Sequence, residues 1–217
     1  MRIVCISDTH GSHRLTQIPE GDVLIHAGDF MLSGRVADEI WDFNQWLASQ
    51  PHRHKIVIAG NHDILFERQN SYARSFLTSA IYLENSGVEI EGIKFYGSPQ
   101  QPEFMNWAFN VPRGLPIRRF WDRIPNDTDV LITHGPALGL RDQLRPGGEH
   151  LGCDELLLAI NRVKPRLHIF GHIHGSYGEQ RTTIFPNTEF VNCAAMNEAY
   201  VINNAPIIKF LEVPSGR

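Results

Sequence analysis

Five short runs of Ile, Val and Leu punctuate the chain, at residues 2–7 (RIVCIS), 22–27 (DVLIHA), 55–60 (KIVIAG), 129–134 (DVLITH) and 166–171 (RLHIFG). Their apolar positions are consecutive rather than alternating, the pattern of strands covered on both faces. Between the second and third runs, residues 36–50 set Val36, Ile40, Phe43 and Leu47 at helical spacing, and Pro51 ends the segment. A second amphipathic stretch, 154–163, opens on Asp154, a residue type suited to an N-cap, and leads into the fifth run. Strand, helix and strand in that order predict an α/β sheet with crossovers. The texture changes at 81–99, where alternation and glycine turns predict short antiparallel strands, and 182–195 with 205–213 are expected to form a closing pair. Residues 100–128, rich in Pro, Trp and Phe, read as a long ordered insertion. Nothing in the texture marks a linker, so the expectation is a single domain over 1–217.

Composition narrows the partners. At 217 residues, 42% hydrophobic and 20% charged, the chain has the make-up of an ordinary globular domain. Its formal charge of -4, without a Lys/Arg cluster, argues against binding long nucleic acid, whose phosphate backbone is held by basic surface. The 3 cysteines, Cys5, Cys153 and Cys193, form no C-x-x-C pair and read as buried thiols of a reducing compartment. Residues 2–7 enter a strand at once with no signal-peptide pattern, and no apolar stretch approaches the roughly 20 residues that span a bilayer. The expectation is a cytoplasmic protein that binds no membrane; a homodimer is compatible with the sequence.

Candidate chemistry lies where the strands end. Ser7-Asp8-Thr9-His10 follows the first run and Gly28-Asp29 the second. Gly60-Asn61-His62-Asp63, His134-Gly135 and Gly171-His172-Ile173-His174 follow the other three. In an α/β sheet the carboxyl ends of neighbouring strands open on one crevice, so these side chains converge. Any one of them could be an ordinary turn, cap or core residue. Independent turns, however, have no reason to supply only carboxylate, amide and imidazole at five successive strand ends. Such donors suit Mn, Fe, Co or Zn, with manganese favoured here, and the absence of thiolate argues against structural zinc. More than four ligands imply two ions, roughly 3.5–4 Å apart, sharing a carboxylate and able to attack phosphorus with a bridging hydroxide.

The ordered set D-x-H, G-D, G-N-H-D, H and G-H-x-H, running from Asp8 to His174, resembles the signature of the calcineurin-like metallophosphoesterase superfamily. A narrower likeness, in SDTHG, GDVLIHAGDF, KIVIAGNHD, FNVPRG, THGPALGLRD and GCDELL, is to the metallophosphoesterase-domain-containing (MPPED) proteins. The resemblance implies an α/β sandwich of two mixed β-sheets flanked by α-helices, and a dinuclear phosphodiesterase acting on small phosphate esters, cyclic nucleotides among them. By the same resemblance Asp8, His10 and His174 hold one metal, Asn61, His134 and His172 the other, and Asp29 bridges. Some members replace the first His of G-H-x-H; this chain keeps His172.

His62 would be the catalytic residue beside the leaving group, since an uncoordinated imidazole next to two cations can donate a proton. Asp63 is expected either to orient it or to cap the following helix. Asn61 and His62 also count as substrate contacts, and Phe104, Trp107 and Phe109 are candidates for stacking a nucleobase. His26 and His168 read as packed structural residues. His13, His52, His54 and His150 read as surface, with His13, close to the first motif, and His150, after Pro-Gly-Gly-Glu, carried as substrate-contact candidates. Two rival enzymes fit less well: Ala59 stands where a protein phosphatase of this fold would carry Arg, and an exonuclease would need a basic groove. The remaining alternative is a nucleotide-binding scaffold with weak or no catalysis, against which the intact donor set speaks.

Overall fold

The computed structural model describes residues 1–213, so the last four positions of the expected 1–217 span lie outside the described residues. In chain order it begins with β1 (Arg2–Ile6), β2 (Val23–Ala27), α1 (Ala37–Ser49), β3 (His54–Ile58), α2 (Ile64–Arg68), α3 (Asn70–Phe76) and β4 (Ile81–Tyr82). There follow β5 (Ser86–Ile90), β6 (Ile93–Ser98), β7 (Gln101–Pro102), β8 (Asn110–Val111), α4 (Leu115–Trp121) and β9 (Val130–Thr133). The chain continues through α5 (Asp154–Val163), β10 (Leu167–Phe170), β11 (Gly178–Arg181), β12 (Glu189–Asn192) and β13 (Ile207–Phe210).

Two mixed sheets form, in the orders β13-β1-β2-β3-β4 and β11-β12-β10-β9-β6-β5, as the sandwich expectation requires. The consecutive apolar runs explain the layering. In β1 and β2, Ile3, Cys5, Val23 and Ile25 point inward to meet Val130, Ile132, Leu167 and Ile169 of the facing sheet. Val4, Ile6 and Leu24 point outward and are covered by Ile40, Phe43 and Leu47 of α1. Behind the second sheet, Leu131, Phe170 and Phe190 receive Ile117 and Trp121 of α4 and Leu156 and Ile160 of α5. Burying each such side chain contributes roughly 1.5–3 kcal/mol. Phe43 also stacks on Phe30, their rings 4.4 Å apart, so packing of α1 fixes the chain immediately after Asp29.

Several local expectations change. Val36 is not the first turn of α1 but its extended N-cap, 50% exposed, and Glu39 instead satisfies the amides of Leu32 and Ser33. Asp154 lies inside α5, whose cap position is Cys153. The two C-terminal strands do not pair with each other. β12 runs parallel to β10 and takes β11 as its antiparallel partner, whereas β13 crosses to the other sheet and pairs with β1. The connection of 193–206 is too long for a hairpin turn and bridges the two sheets at Ser7 and Ala194. The antiparallel expectation for 81–99 holds for β5 and β6, while β4 extends the first sheet in parallel. His13 and His52 are buried rather than superficial: His13 lies 3.0 Å from the Asp42 carboxylate beside Phe43 and Trp46, and His52 bonds the Pro19 carbonyl. Among the described residues no helix is long and apolar enough to cross a membrane.

His26 and His168 are packed inside β2 and β10, and each ring serves a threonine next to a site residue. His26 Nε2 is 3.0 Å from Thr9 Oγ1 and His168 Nε2 is 2.8 Å from Thr133 Oγ1. Thr133 Oγ1 donates to the Gly135 carbonyl, so it accepts from a neutral, Nε2-protonated His168. Burial pushes both imidazoles down to about 3, against about 6.5 in an open chain. The unfolded state therefore binds more protons below pH 6.5, and stability falls as pH drops from there toward 3, by about 1.4 kcal/mol per pH unit for each imidazole. Urea midpoints of His168→Gln measured from pH 7 to pH 4 should decline less steeply than those of wild type. An unchanged slope would mean that folded His168 takes up its proton as an open chain does.

Candidate metal centre and its cleft

The loops after β1, β2, β9 and β10 meet on one edge of the sandwich, and their backbone is unusual. Asp8, His10, Asp29 and His172 all have left-handed backbone, with φ of 52°, 40°, 56° and 68°. That conformation costs of order 1 kcal/mol or more per non-glycine residue, and it persists only where surrounding bonds over-determine it. Here they do. Asp8 N–H donates to the Gly28 carbonyl and His10 N–H to the Asp29 carbonyl, both at 3.0 Å. His172 N–H donates to both Asp8 oxygens at 3.0 and 3.1 Å, and His62 N–H to Asp29 Oδ1 at 2.7 Å. Two motif glycines make room for the acids: a Cβ on Gly171 would collide with Asp8 Oδ2, and one on Gly60 with Asp29 Oδ1.

The expected ligands converge. Asp8, His10 and His174 present donor atoms within 4.8 Å of one another, as do Asp29, His134 and His172. His10, Asp29 and His62 form a third such group that joins the first two. Asn61 Oδ1 is 2.9 Å from His134 Nε2, which brings the one amide ligand into the second group. Hydrogen bonds set the free ring nitrogens: His134 Nδ1–H donates to the Ala27 carbonyl at 3.0 Å and His174 Nδ1–H to that of Asn197 at 3.1 Å. Each therefore turns Nε2 inward, 3.3 Å from Asp29 Oδ2 and Asp8 Oδ1 respectively.

Electrostatics tests whether such a site suits cations. Burial would raise both carboxyls, yet contact with His174 holds Asp8, and contact with His134 holds Asp29, far below the usual carboxylate range. Burial would likewise depress the imidazoles, but the facing carboxylates outweigh it and push His134 and His174 up to about 9. Protons thus neutralise the acids when nothing else does. His10, by contrast, is buried with neither ring nitrogen hydrogen-bonded, and burial keeps it neutral, so its lone pair has no protein partner. Two carboxylates, an amide oxygen and imidazole lone pairs aimed at common points, without thiolate, fit divalent ions of the Mn, Fe, Co and Zn type.

Beyond these donors opens a cleft of about 470 Å³ into which Asn61, His62, Phe104 and Trp107 all face. The His62 ring lies edge-on to His10, centroids 4.5 Å apart, with Nδ1 3.4 Å from the Leu32 carbonyl. Trp107 lies flat against its other side at 4.1 Å and 24°. One indole face is therefore occupied by His62, which makes Trp107 a support for that ring before it can be a platform for a base. Phe109 is 4% exposed and belongs to the core, not to the cleft. Asp63 does not orient His62: its oxygens accept the amides of Asp29, Met31 and Gly60 at 2.9, 2.9 and 2.7 Å, tying the loop after β2 to its own loop after β3. Nor does it bond as a side-chain cap of α2. His150 is displaced from the cleft, because its Nδ1 pairs with buried Asp142 at 2.6 Å and its ring borders a separate cavity beside Arg141 and Gln180.

Sequence reasoning missed the loop after β12. Asn197 orients His174, Glu198 accepts the Gly175 amide at 2.6 Å, and Tyr200 stands over the donor set, 4.9 Å from His10 and 5.3 Å from His174. These residues form no recognisable motif. The available signal was positional: the loop after β12 opens on the same edge as those after β1 and β10.

Comparison with known proteins supplies context for this geometry. Residues 1–176 match the family model described as calcineurin-like phosphoesterase. The chain is 42% identical to human Metallophosphoesterase domain-containing protein 1 over 98% of its own length and 72% of that protein's. It is 37% identical to UPF0046 protein K07C11.7 of Caenorhabditis elegans, over 97% and 75% of the two chains.

The raised values of His134 and His174 carry a direct consequence. Both rings are protonated at pH 7 in the metal-free protein and must shed that proton to coordinate, so loading releases protons. Calorimetric titration with Mn²⁺ at pH 7, repeated in buffers of different ionisation enthalpy, should give close to two protons released at saturation, falling toward none above pH 9. Release that stays near zero at pH 7 would mean that the two imidazoles do not ligate.

Proposed function

The chain belongs to the calcineurin-like phosphoesterase family and is a metal-dependent phosphoester hydrolase, and on that footing we propose that it cleaves small phosphodiesters, nucleotides and cyclic nucleotides among them, at a centre of two divalent ions. The observation that carries this reading is the sharing of Asp29: it stands in the group with His134 and His172 and also in the one with His10, which itself belongs to the Asp8 group. Manganese is the favoured ion for a set of oxygen and imidazole donors. When bound, two such ions supply Lewis acidity and lower the pKa of water. The unpaired, buried Cys5, Cys153 and Cys193 support a cytoplasmic location.

In hydrolysis water adds across one P–O bond, giving a phosphomonoester and an alcohol. Asn61, His172 and His174 border the floor of the cleft, where the phosphoryl group would be bound and turned so that its leaving oxygen faces His62. Because His62 Nδ1 faces the Leu32 carbonyl, Nε2 is the atom left to deliver a proton to that oxygen. Trp107 holds the ring in this orientation from the side away from His10.

His62→Ala should retain both metals and lose about 10²–10⁴-fold in rate on a nucleoside diester, with a much smaller loss on a nitrophenyl ester whose phenolate needs little proton assistance. Metal content measured on the same samples decides the role: loss of metal would make His62 a ligand. Trp107→Ala is expected to lower kcat about tenfold with KM nearly unchanged, and a raised KM at constant kcat would return Trp107 to the role of base platform.

A further inference from the structure

The wall of the cleft away from the metal donors is apolar, although it is open to solvent. Phe104, Met105, Leu144 and Tyr200 are 55%, 76%, 50% and 51% exposed, and with Leu151 they border the same cavity as His62 and His172. Large apolar side chains left exposed around a polar pocket mark a surface that something apolar covers. The charged lining is equally telling. Arg113 is committed elsewhere, donating to the carbonyls of Gly152 and Leu151 at 2.8 Å and reaching Asp154 at 3.4 Å. Glu103 and Glu198 supply two negative charges, and among the described residues no lysine lines the cleft. A second phosphate on the substrate would find no free cation beyond the metal centre.

Two members of this wall have left-handed backbone, Met105 at φ 53° and Tyr200, and Tyr200 is the one whose ring reaches the metal donors. It sits at φ 57° in a turn that Asn197 organises: Asn197 N–H donates to the Val201 carbonyl, its Oδ1 accepts the amides of Ala199 and Val201, and its carbonyl accepts that of Tyr200. Left-handed backbone is unfavourable for a bulky residue and free for glycine, so the turn gains nothing from a tyrosine at this position. What tyrosine provides is a ring beside His10 and His174 with the rest of its surface open to the cleft.

We propose that Tyr200 is the specificity-determining residue of an apolar subsite beside the metal centre, and that this subsite takes the planar, apolar body of an ester containing a single phosphorus. The proposal rests on the phosphoesterase reading and adds the class of substrate to it. The ring of Tyr200, with Phe104 and Met105, supplies contact area, and the metal donors supply the anion site.

The test uses the full chain loaded with Mn²⁺ and two p-nitrophenyl phosphodiesters that share a leaving group and differ in the retained group, methyl or phenyl. KM should be about tenfold lower for the phenyl ester. Tyr200→Gly should abolish that difference by raising the phenyl ester's KM about tenfold more than the methyl ester's, with the melting temperature unchanged or raised; Tyr200→Phe should preserve the difference. A nucleoside 3′,5′-bisphosphate should inhibit no more tightly than the 5′-monophosphate of the same base. Equal KM for both esters, equal damage to both by Tyr200→Gly, a lowered melting temperature, or a bisphosphate tenfold tighter would each overturn the proposal. If neither ester turns over, the hydrolase reading fails, and calorimetry with phenylphosphonate and methylphosphonate decides the subsite alone: about tenfold tighter phenyl binding supports it and equal affinity refutes it.

Discussion

Two ionised carboxylates, Asp8 and Asp29, are buried close enough that the charge of Asp29 opposes that of Asp8, and this repulsion is the constraint around which the site is organised. A buried anion pair survives only if positive charge is delivered to it. Imidazoles are the groups that can deliver it in two ways, as protonated partners or as lone-pair donors that share a cation with the acids. Four histidines and one asparagine are gathered for that purpose, and hydrogen bonds from His134 and His174 to backbone carbonyls leave the inward nitrogen of each ring available.

The sandwich makes this arrangement possible by supplying rigid strand ends. Packing on both faces of β1, β2, β9 and β10 holds the emerging loops, and the loops accept left-handed backbone at Asp8, His10, Asp29 and His172. Strain at four site residues is stable because it is cross-braced: the Asp8 carboxylate holds the amide of His172, that of Asp29 holds the amide of His62, and Asp63 gathers amides from the loop after β2 and from its own. Thr9 and Thr133, each beside a candidate metal donor, are in turn held by His26 and His168 in the interior of the strands. The strained loops therefore place the donors without freedom to relax, which is preorganisation for binding cations.

The donor set was legible because strand ends and ligand types follow from local patterns: consecutive Ile/Val/Leu runs locate the edge, and Asp8, Asp29, Asn61 and His134 stand immediately beyond. Other roles depend on tertiary neighbours that no spacing encodes. Asp63 adjoins His62 in the chain but points its carboxylate back at backbone amides. His150 follows a glycine-rich turn, as many ligand-contacting residues do, yet Asp142 draws it to another cavity. Within the aromatic insertion, Phe104, Trp107 and Phe109 look equivalent in sequence and have three fates: cleft wall, support for His62, and core. Tyr200 was invisible because its importance comes from a turn conformation and from its position above His10. The pairing of the C-terminal strands is hidden for a related reason, since strand propensity does not say which sheet a strand joins.

Anomalous diffraction from crystals of the Mn²⁺-loaded protein tests the central claim most directly. The account predicts two peaks, one among Asp8, His10 and His174 and one among Asn61, His134 and His172, with the Asp29 carboxylate between them. A single peak, or two peaks that share no ligand, would contradict it.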